Sequence, residues 1–150
     1  MFDTNAEMLE LLVAEVERWQ VYIDPVETIL EFNLPARIPI NIMDGAAGTK
    51  ADLFVVEHAG LDASIMSRLQ RRKLYVQPDF YAWFLSPEDV ILYKLIYFKK
   101  SNGNSQKHPA DILSMLRAIE SELDSAYLDH WAREIGVLEL WHGVMDEFRQ

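Results

Sequence analysis

The run Ser86-Pro87-Glu88-Asp89 divides this chain in two. A serine can cap a helix, a proline suits the first helical position, and the two acids fall where the helix dipole favours negative charge. From there onward the pattern is helical only, over 86–98, 109–121, 125–135 and 137–148, with a basic opening to the second helix at Lys107-His108-Pro109-Ala110-Asp111-Ile112-Leu113. Upstream, helical and β-prone stretches alternate. Met8, Leu11, Leu12, Val16 and Trp19 recur at helical spacing over 5–19. Asp24-Pro25-Val26-Glu27 repeats the cap, proline and acid order, predicting a short helix to about Glu31 after a strand near Val21, with Pro35 and Pro39 interrupting helical order.

Residues 38–43 and 50–56 are β-prone and flank Asp44-Gly45-Ala46-Ala47-Gly48, the pattern of an antiparallel hairpin. Asp62 can cap a helix reaching about Gln70 with Ile65, Met66 and Leu69 inward, and 73–76 and 80–85 read as extended segments about a Pro78-Asp79 turn. The expected organisation is an α+β region over 1–85 and a helical region over 86–150 packed on it.

Half of the 150 residues are apolar, enough for a buried core. No apolar run approaches the roughly 20 residues that span a bilayer, and the N-terminus lacks a secretory pattern, so no membrane association and a cytoplasmic location are expected. With no cysteine, disulfides, thiolate metal sites and a cysteine nucleophile are excluded. A net charge of −10 weighs against bulk binding of nucleic acid, which needs a basic surface. The basic residues nevertheless gather, at Arg68, Arg71, Arg72 and Lys73 and again at Lys94, Lys99, Lys100 and Lys107. Each group is either a solvated face or a local anion site.

Strand parity places Lys50, Asp52 and Phe54 on one face and Ala51, Leu53 and Val55 on the other. Asp52 is then either a polar strand residue paired with Lys50 or a metal ligand. Lys94 lies on a helix whose Val90, Ile91, Leu95 and Phe98 turn to the core, where a lysine either snorkels to solvent or meets a phosphate. Lys107 and Asp111, four apart, can form a helical ion pair; alternatively Lys107 and His108, with the free amides of a helix start, can meet a nucleotide phosphate. His58, His130 and His142 have no second ligand at metal spacing, and Tyr81, Trp83, Trp131 and Trp141 read as core aromatics.

Taken in order, Tyr22-Ile23-Asp24-Pro25, Phe32-Asn33, Thr49 to Val56, Ser86 to Leu95, Lys107 to Leu113 and Tyr127 to Gly136 resemble the nucleotidyltransferase superfamily. The nearest branch is its small bacterial members, related to the nucleotidyltransferase-fold toxins of abortive-infection systems. The resemblance implies a mixed sheet with flanking helices and a C-terminal helical bundle. It also implies metal-dependent transfer of a nucleotidyl group from a nucleoside triphosphate to a protein, RNA or small-molecule acceptor. On it, Asp52 is a catalytic carboxylate and Mg2+ ligand supported by Lys50, while Lys94, Lys107, His108 and Asp111 attend the nucleotide.

Magnesium takes near-octahedral oxygen coordination, and phosphoryl chemistry often uses two ions, so one aspartate does not suffice. The family supplies two further carboxylates, one residue apart on an earlier strand, behind a glycine-led helix start. Met1-Phe2-Asp3-Thr4-Asn5 holds neither. The chain therefore reads as a family member shortened at its N-terminus, either degenerate or begun downstream of its true start, with little or no transfer activity expected. The other expectation is a non-catalytic interaction module, of toxin and antitoxin type, whose uncovered sheet edge takes a partner strand or a second copy.

Overall fold

A computed structural model describes residues 6–75, 79–104, 107–119 and 123–150, so that Asn5, Val76, Pro78 and Ser121 of the expected elements lie outside the described residues. The chain forms two compact units that divide in sequence at Ala63 and Ser64.

In the first unit, α1 (Ala6–Arg18) leads to β1 (Tyr22–Ile23), then to a helical stretch made of α2 (Val26–Thr28), a π-helical turn (Ile29–Asn33) and α3 (Leu34–Ala36). Strands β2 (Ile40–Asp44) and β3 (Thr49–Leu53) follow, in a three-stranded antiparallel sheet of order β1-β2-β3. One sheet face closes the core: Ile23 and Ile40 are buried with Leu9, Val16 and Ile29, and Leu12, Val13, Ile42 and Leu53 pack against them. Burying each such side chain contributes about 1.5–3 kcal/mol. The inward seam of α1 is thus Leu9, Leu12, Val13 and Val16, whereas Met8, Leu11 and Trp19, expected inside, are exposed.

The helix expected to stop near Glu31 continues through Pro35 to Ala36. A proline there has no N–H to give to the Glu31 carbonyl. The chain widens instead, and the Leu34 N–H reaches the Ile29 carbonyl five residues back. β3 ends at Leu53, short of the expected Val56. Two expected caps are also replaced. Asp24 does not cap α2, and Asp62 sits within the first turn of α4 (Gly60–Arg68), its buried carboxylate accepting from the Glu57 amide (2.9 Å) and from Arg37 (2.6 Å). On α4, Ile65 is buried as expected, but Met66 is exposed.

The second unit opens its sheet with β4 (Gln70–Tyr75) and β5 (Phe80–Phe84), an antiparallel pair bulged between Lys73 and Tyr75. Helices α5 (Pro87–Lys100), α6 (Lys107–Ile119), α7 (Ser125–Glu134) and α8 (Leu138–Phe148) pack together as the expected bundle. Ile91, Leu92 and Leu95 of α5, Ile112 and Leu116 of α6, Leu128 and Ala132 of α7, and Trp141 and Val144 of α8 are buried. Ser86 caps α5 as predicted, accepting from the Asp89 amide, and Asp124 caps α7 through the Tyr127 amide. α7 closes on Gly136 at φ +69°: the Val137 N–H bonds the Ala132 carbonyl and the Gly136 N–H that of Arg133, which requires a residue without strain in the left-handed region.

The class is therefore α+β. In place of a single mixed sheet, the described residues form two antiparallel ones, with every strand pairing among them antiparallel. No described helix is long and apolar enough to cross a membrane.

Candidate functional site

The expected site residues fall in both units, Lys50 and Asp52 in the first and Lys94, Lys107, His108 and Asp111 in the second. Antiparallel register puts Asp52 of β3 opposite Asn41 and Lys50 opposite Met43, on the sheet face away from the core. Both side chains are solvent-accessible, and the Lys50 ammonium lies 2.9 Å from Asp52. This is the pairing that strand parity predicts. Next along the same row, Asn41 is held by Asp24, whose Oδ2 accepts from the Asn41 amide (2.7 Å), Asn41 Nδ2 (2.9 Å) and Asn33 Nδ2 (3.1 Å), while Oδ1 accepts from the Tyr22 hydroxyl (3.1 Å). Burial opposes the charge on Asp24, but the Asn41, Tyr22 and Asn33 bonds outweigh it and lower its pKa. Asp24 thus ties β1, the π-helical turn and β2 into one frame beneath Asp52.

In the second unit, Lys94 on α5 meets Asp111 on α6 at 2.6 Å. The helical pair expected between Lys107 and Asp111 gives way to this one across two packed helices. The hydrogen bond from Lys94 is the largest influence on Asp111 and, with the nearby charges of Lys107 and His108, holds its carboxyl below the usual range. His108 stacks on Tyr97 with ring centroids 6.3 Å apart, and its Nδ1 is buried with no hydrogen-bond partner among the described residues. Lys94, Lys107, His108 and Asp111 therefore gather around the start of α6, three basic groups about one acid.

The most deeply buried polar cluster was not anticipated from sequence. Asp89, fully buried, accepts from the Ser86 hydroxyl (2.7 Å) and from the Tyr127 hydroxyl (2.7 Å). Beside it Glu88 accepts from the Asp124 amide (3.0 Å) and from Arg68 (3.1 Å). The Arg68 guanidinium also lies 3.9 Å over the Tyr127 ring and 3.6 Å from Asp89. Burial disfavours a charged Glu88, yet the Asp124 and Glu88 amides, Ser86 and Arg68 together lower its pKa. Burial, helped by Asp89, pushes the Tyr127 hydroxyl up to about 12, with Ser64 at 3.1 Å acting in the opposite sense. Spacing gave no sign of this cluster, since α4, α5 and α7 each contribute to it.

No known family, curated protein or solved structure matches the chain. Its site is therefore read from its own chemistry. Among the described residues no three His, Asp or Glu side chains converge on a metal position. A separate groove of about 310 Å³ lies along α7 and α8, where Asp129 accepts from Trp141 Nε1 (2.9 Å) and lies 3.7 Å from His142. None of the expected site residues lines it.

Proposed function

We propose that this is a nucleotidyltransferase-like protein that, as this chain, works by binding a protein partner and transfers no nucleotide. The observation behind this reading is β3, the outer strand of its sheet, with Lys50 neutralising Asp52 on its exposed face. A divalent cation held for phosphoryl transfer needs several uncompensated carboxylate oxygens. A lone aspartate already paired with an ammonium offers little net charge to such an ion. Among the described residues β3 pairs only with β2, and its outer edge has instead the form that accepts a partner's strand by main-chain hydrogen bonds. A toxin and antitoxin type pair is the biological setting that fits such a module.

The test is calorimetric titration of the chain with each nucleoside triphosphate, with and without Mg2+, beside Asp52→Asn. The expected result is no magnesium-dependent heat in either protein. Magnesium-dependent binding that Asp52→Asn abolishes overturns the reading and supports the catalytic alternative, with Asp52 as metal ligand and Lys50 beside it. The gathering of Lys94, Lys107 and His108 about Asp111 at the start of α6 is what favours nucleotide binding by the second unit.

A further inference from the structure

The two strands of the second unit's hairpin have opposite compositions. β4 reads Gln-Arg-Arg-Lys-Leu-Tyr, and the charges of Arg71, Arg72 and Lys73 are the usual guard of an outer strand against further pairing. β5 reads Phe-Tyr-Ala-Trp-Phe, apolar on both faces, the pattern of a strand with neighbours at both edges. Yet among the described residues this sheet has only β4 and β5. Trp83 is 65% exposed, Phe80 52% and Tyr81 43%, although sequence reading places Tyr81 and Trp83 in a core. A two-stranded ribbon exposed on both sides is marginal in water.

We infer that β5 is the strand through which two copies of this chain pair, antiparallel about a two-fold axis at Ala82, giving a four-stranded sheet of order β4-β5-β5′-β4′. The sequence of β5 is self-complementary under that operation. Phe80 faces Phe84 of the second copy, Tyr81 faces Trp83 of the second copy, and Ala82 faces its own counterpart. Large rings thus oppose large rings on each face, with the small Ala82 pair on the axis between them. Such isologous contact is the common form of a homodimer.

Charge does not oppose this occupant. Arg71 and Lys73, which stand on the face of Tyr81 and Trp83, belong to β4, and Arg71 lies 4.2 Å over the Tyr81 ring. In the paired sheet the two β4 strands are three strand spacings apart, roughly 14 Å. That exceeds the ~8 Å screening length at physiological salt, so the basic strands do not repel the dimer apart. Four aromatic side chains, each about half exposed, carry at most roughly 400 Å² per copy, below the ~800 Å² per partner of a stable interface, so the dimer expected is a weak, concentration-dependent one. Exposed Leu85, just past the end of β5, extends this surface. This inference concerns the second unit alone and is independent of any role for β3.

The chain has no cysteine, so one introduced thiol reports the geometry cleanly. Ala82→Cys places two sulfurs across the axis within disulfide reach, whereas Arg72→Cys, opposite Ala82 on β4, is too far from its counterpart to bridge. The expected result is a disulfide dimer from Ala82→Cys under mild oxidation, none from Arg72→Cys, and a concentration-dependent dimer of the unmodified chain in sedimentation. Ala82→Lys, with two ammonium groups on the axis, is expected to sediment as a monomer with an unchanged circular dichroism spectrum. Equal crosslinking of the two cysteine variants, or a monomeric unmodified chain throughout, overturns the inference. So does quenching of tryptophan fluorescence in a monomeric chain by oligo-dT, which assigns the basic and aromatic face to single-stranded nucleic acid.

Discussion

Tyr127→Phe removes one oxygen atom and isolates the energetics of the buried acid cluster. The phenyl ring stays in place, so the Arg68 guanidinium keeps its position 3.9 Å over it. What is lost is the donor to Asp89 Oδ1 at 2.7 Å, on a carboxylate that is 0% exposed. A hydrogen bond to a buried charged group is worth about 1.5–3 kcal/mol when its partner is left without replacement. The Ser64 hydroxyl, at 3.1 Å, is only partly buried and adds a few tenths of a kcal/mol at most, roughly, because it can turn to water. The expected loss is therefore about 2–3 kcal/mol.

Urea unfolding followed by far-UV circular dichroism and by tryptophan fluorescence measures it, with coincidence of the two probes as the check on two-state behaviour. At an unchanged m-value of about 2 kcal/mol/M the midpoint falls by roughly 1 M. Tyr75→Phe, on a side chain 66% exposed, serves as the control and is expected to stay within about 0.5 kcal/mol of the parent. A Tyr127→Phe protein as stable as that control refutes the reasoning, since it means the Asp89 carboxylate does not depend on the hydroxyl. In a double-mutant cycle with Asp89→Asn, the combined loss is expected to fall short of the sum by about 1 kcal/mol or more.

Because Tyr127 ionises at about 12 when folded and near 10 when unfolded, its contribution is complete below pH 10 and disappears as pH rises towards 12. Stability measured across that window is expected to fall more steeply for the parent than for Tyr127→Phe. Asp24 behaves in the opposite sense: its lowered pKa means a contribution that is full above the ordinary aspartate range and lost as pH falls through the folded value. Asp24→Asn is expected to flatten the acid limb of the stability profile and to cost about 2–3 kcal/mol at neutral pH, since a carboxamide turns donors towards Asn33 and Asn41. Gly136→Ala puts a Cβ in the left-handed region, 3.2 Å from the Lys99 ammonium that binds the Gly136 carbonyl at 2.9 Å. A loss of about 1–2 kcal/mol in thermal or urea unfolding is expected.

Where one local rule governs, the fold was legible in the sequence. Ser86 caps α5 because a serine, a proline and two acids in that order leave the chain few alternatives. The β2–β3 hairpin follows from two β-prone runs around a glycine-containing turn, and the face on which Lys50 and Asp52 meet follows from strand parity alone. Legibility failed where two local rules competed. Asp24 precedes a helix and Asp62 lies in the first turn of one, and both have the right identity for a cap, but each carboxylate found more donors elsewhere, Asn33 and Asn41 for one and Arg37 with the Glu57 amide for the other. Those donors lie up to 25 residues away, beyond the reach of any local pattern.

The same limit separates the site as anticipated from the site as built. Spacing sees pairs within one helix, and so linked Lys107 to Asp111. Packing of α5 on α6 instead brings Lys94, 17 residues distant, to 2.6 Å from Asp111. An exposed i,i+4 pair is worth a few tenths of a kcal/mol, roughly, so any better-buried competitor displaces it. The aromatic residues of β5 show the converse. Tyr81 and Trp83 read as core aromatics, since a strand composed as β5 is has no charged or amide-bearing solvent face, yet they are 43% and 65% exposed. On the pairing inferred for β5, part of their burial comes from a second copy. A sequence states which surfaces avoid water; it does not state whose atoms cover them. For β5, with β4 guarded by three basic residues and no second neighbour among the described residues, a second copy supplies the missing edge strand.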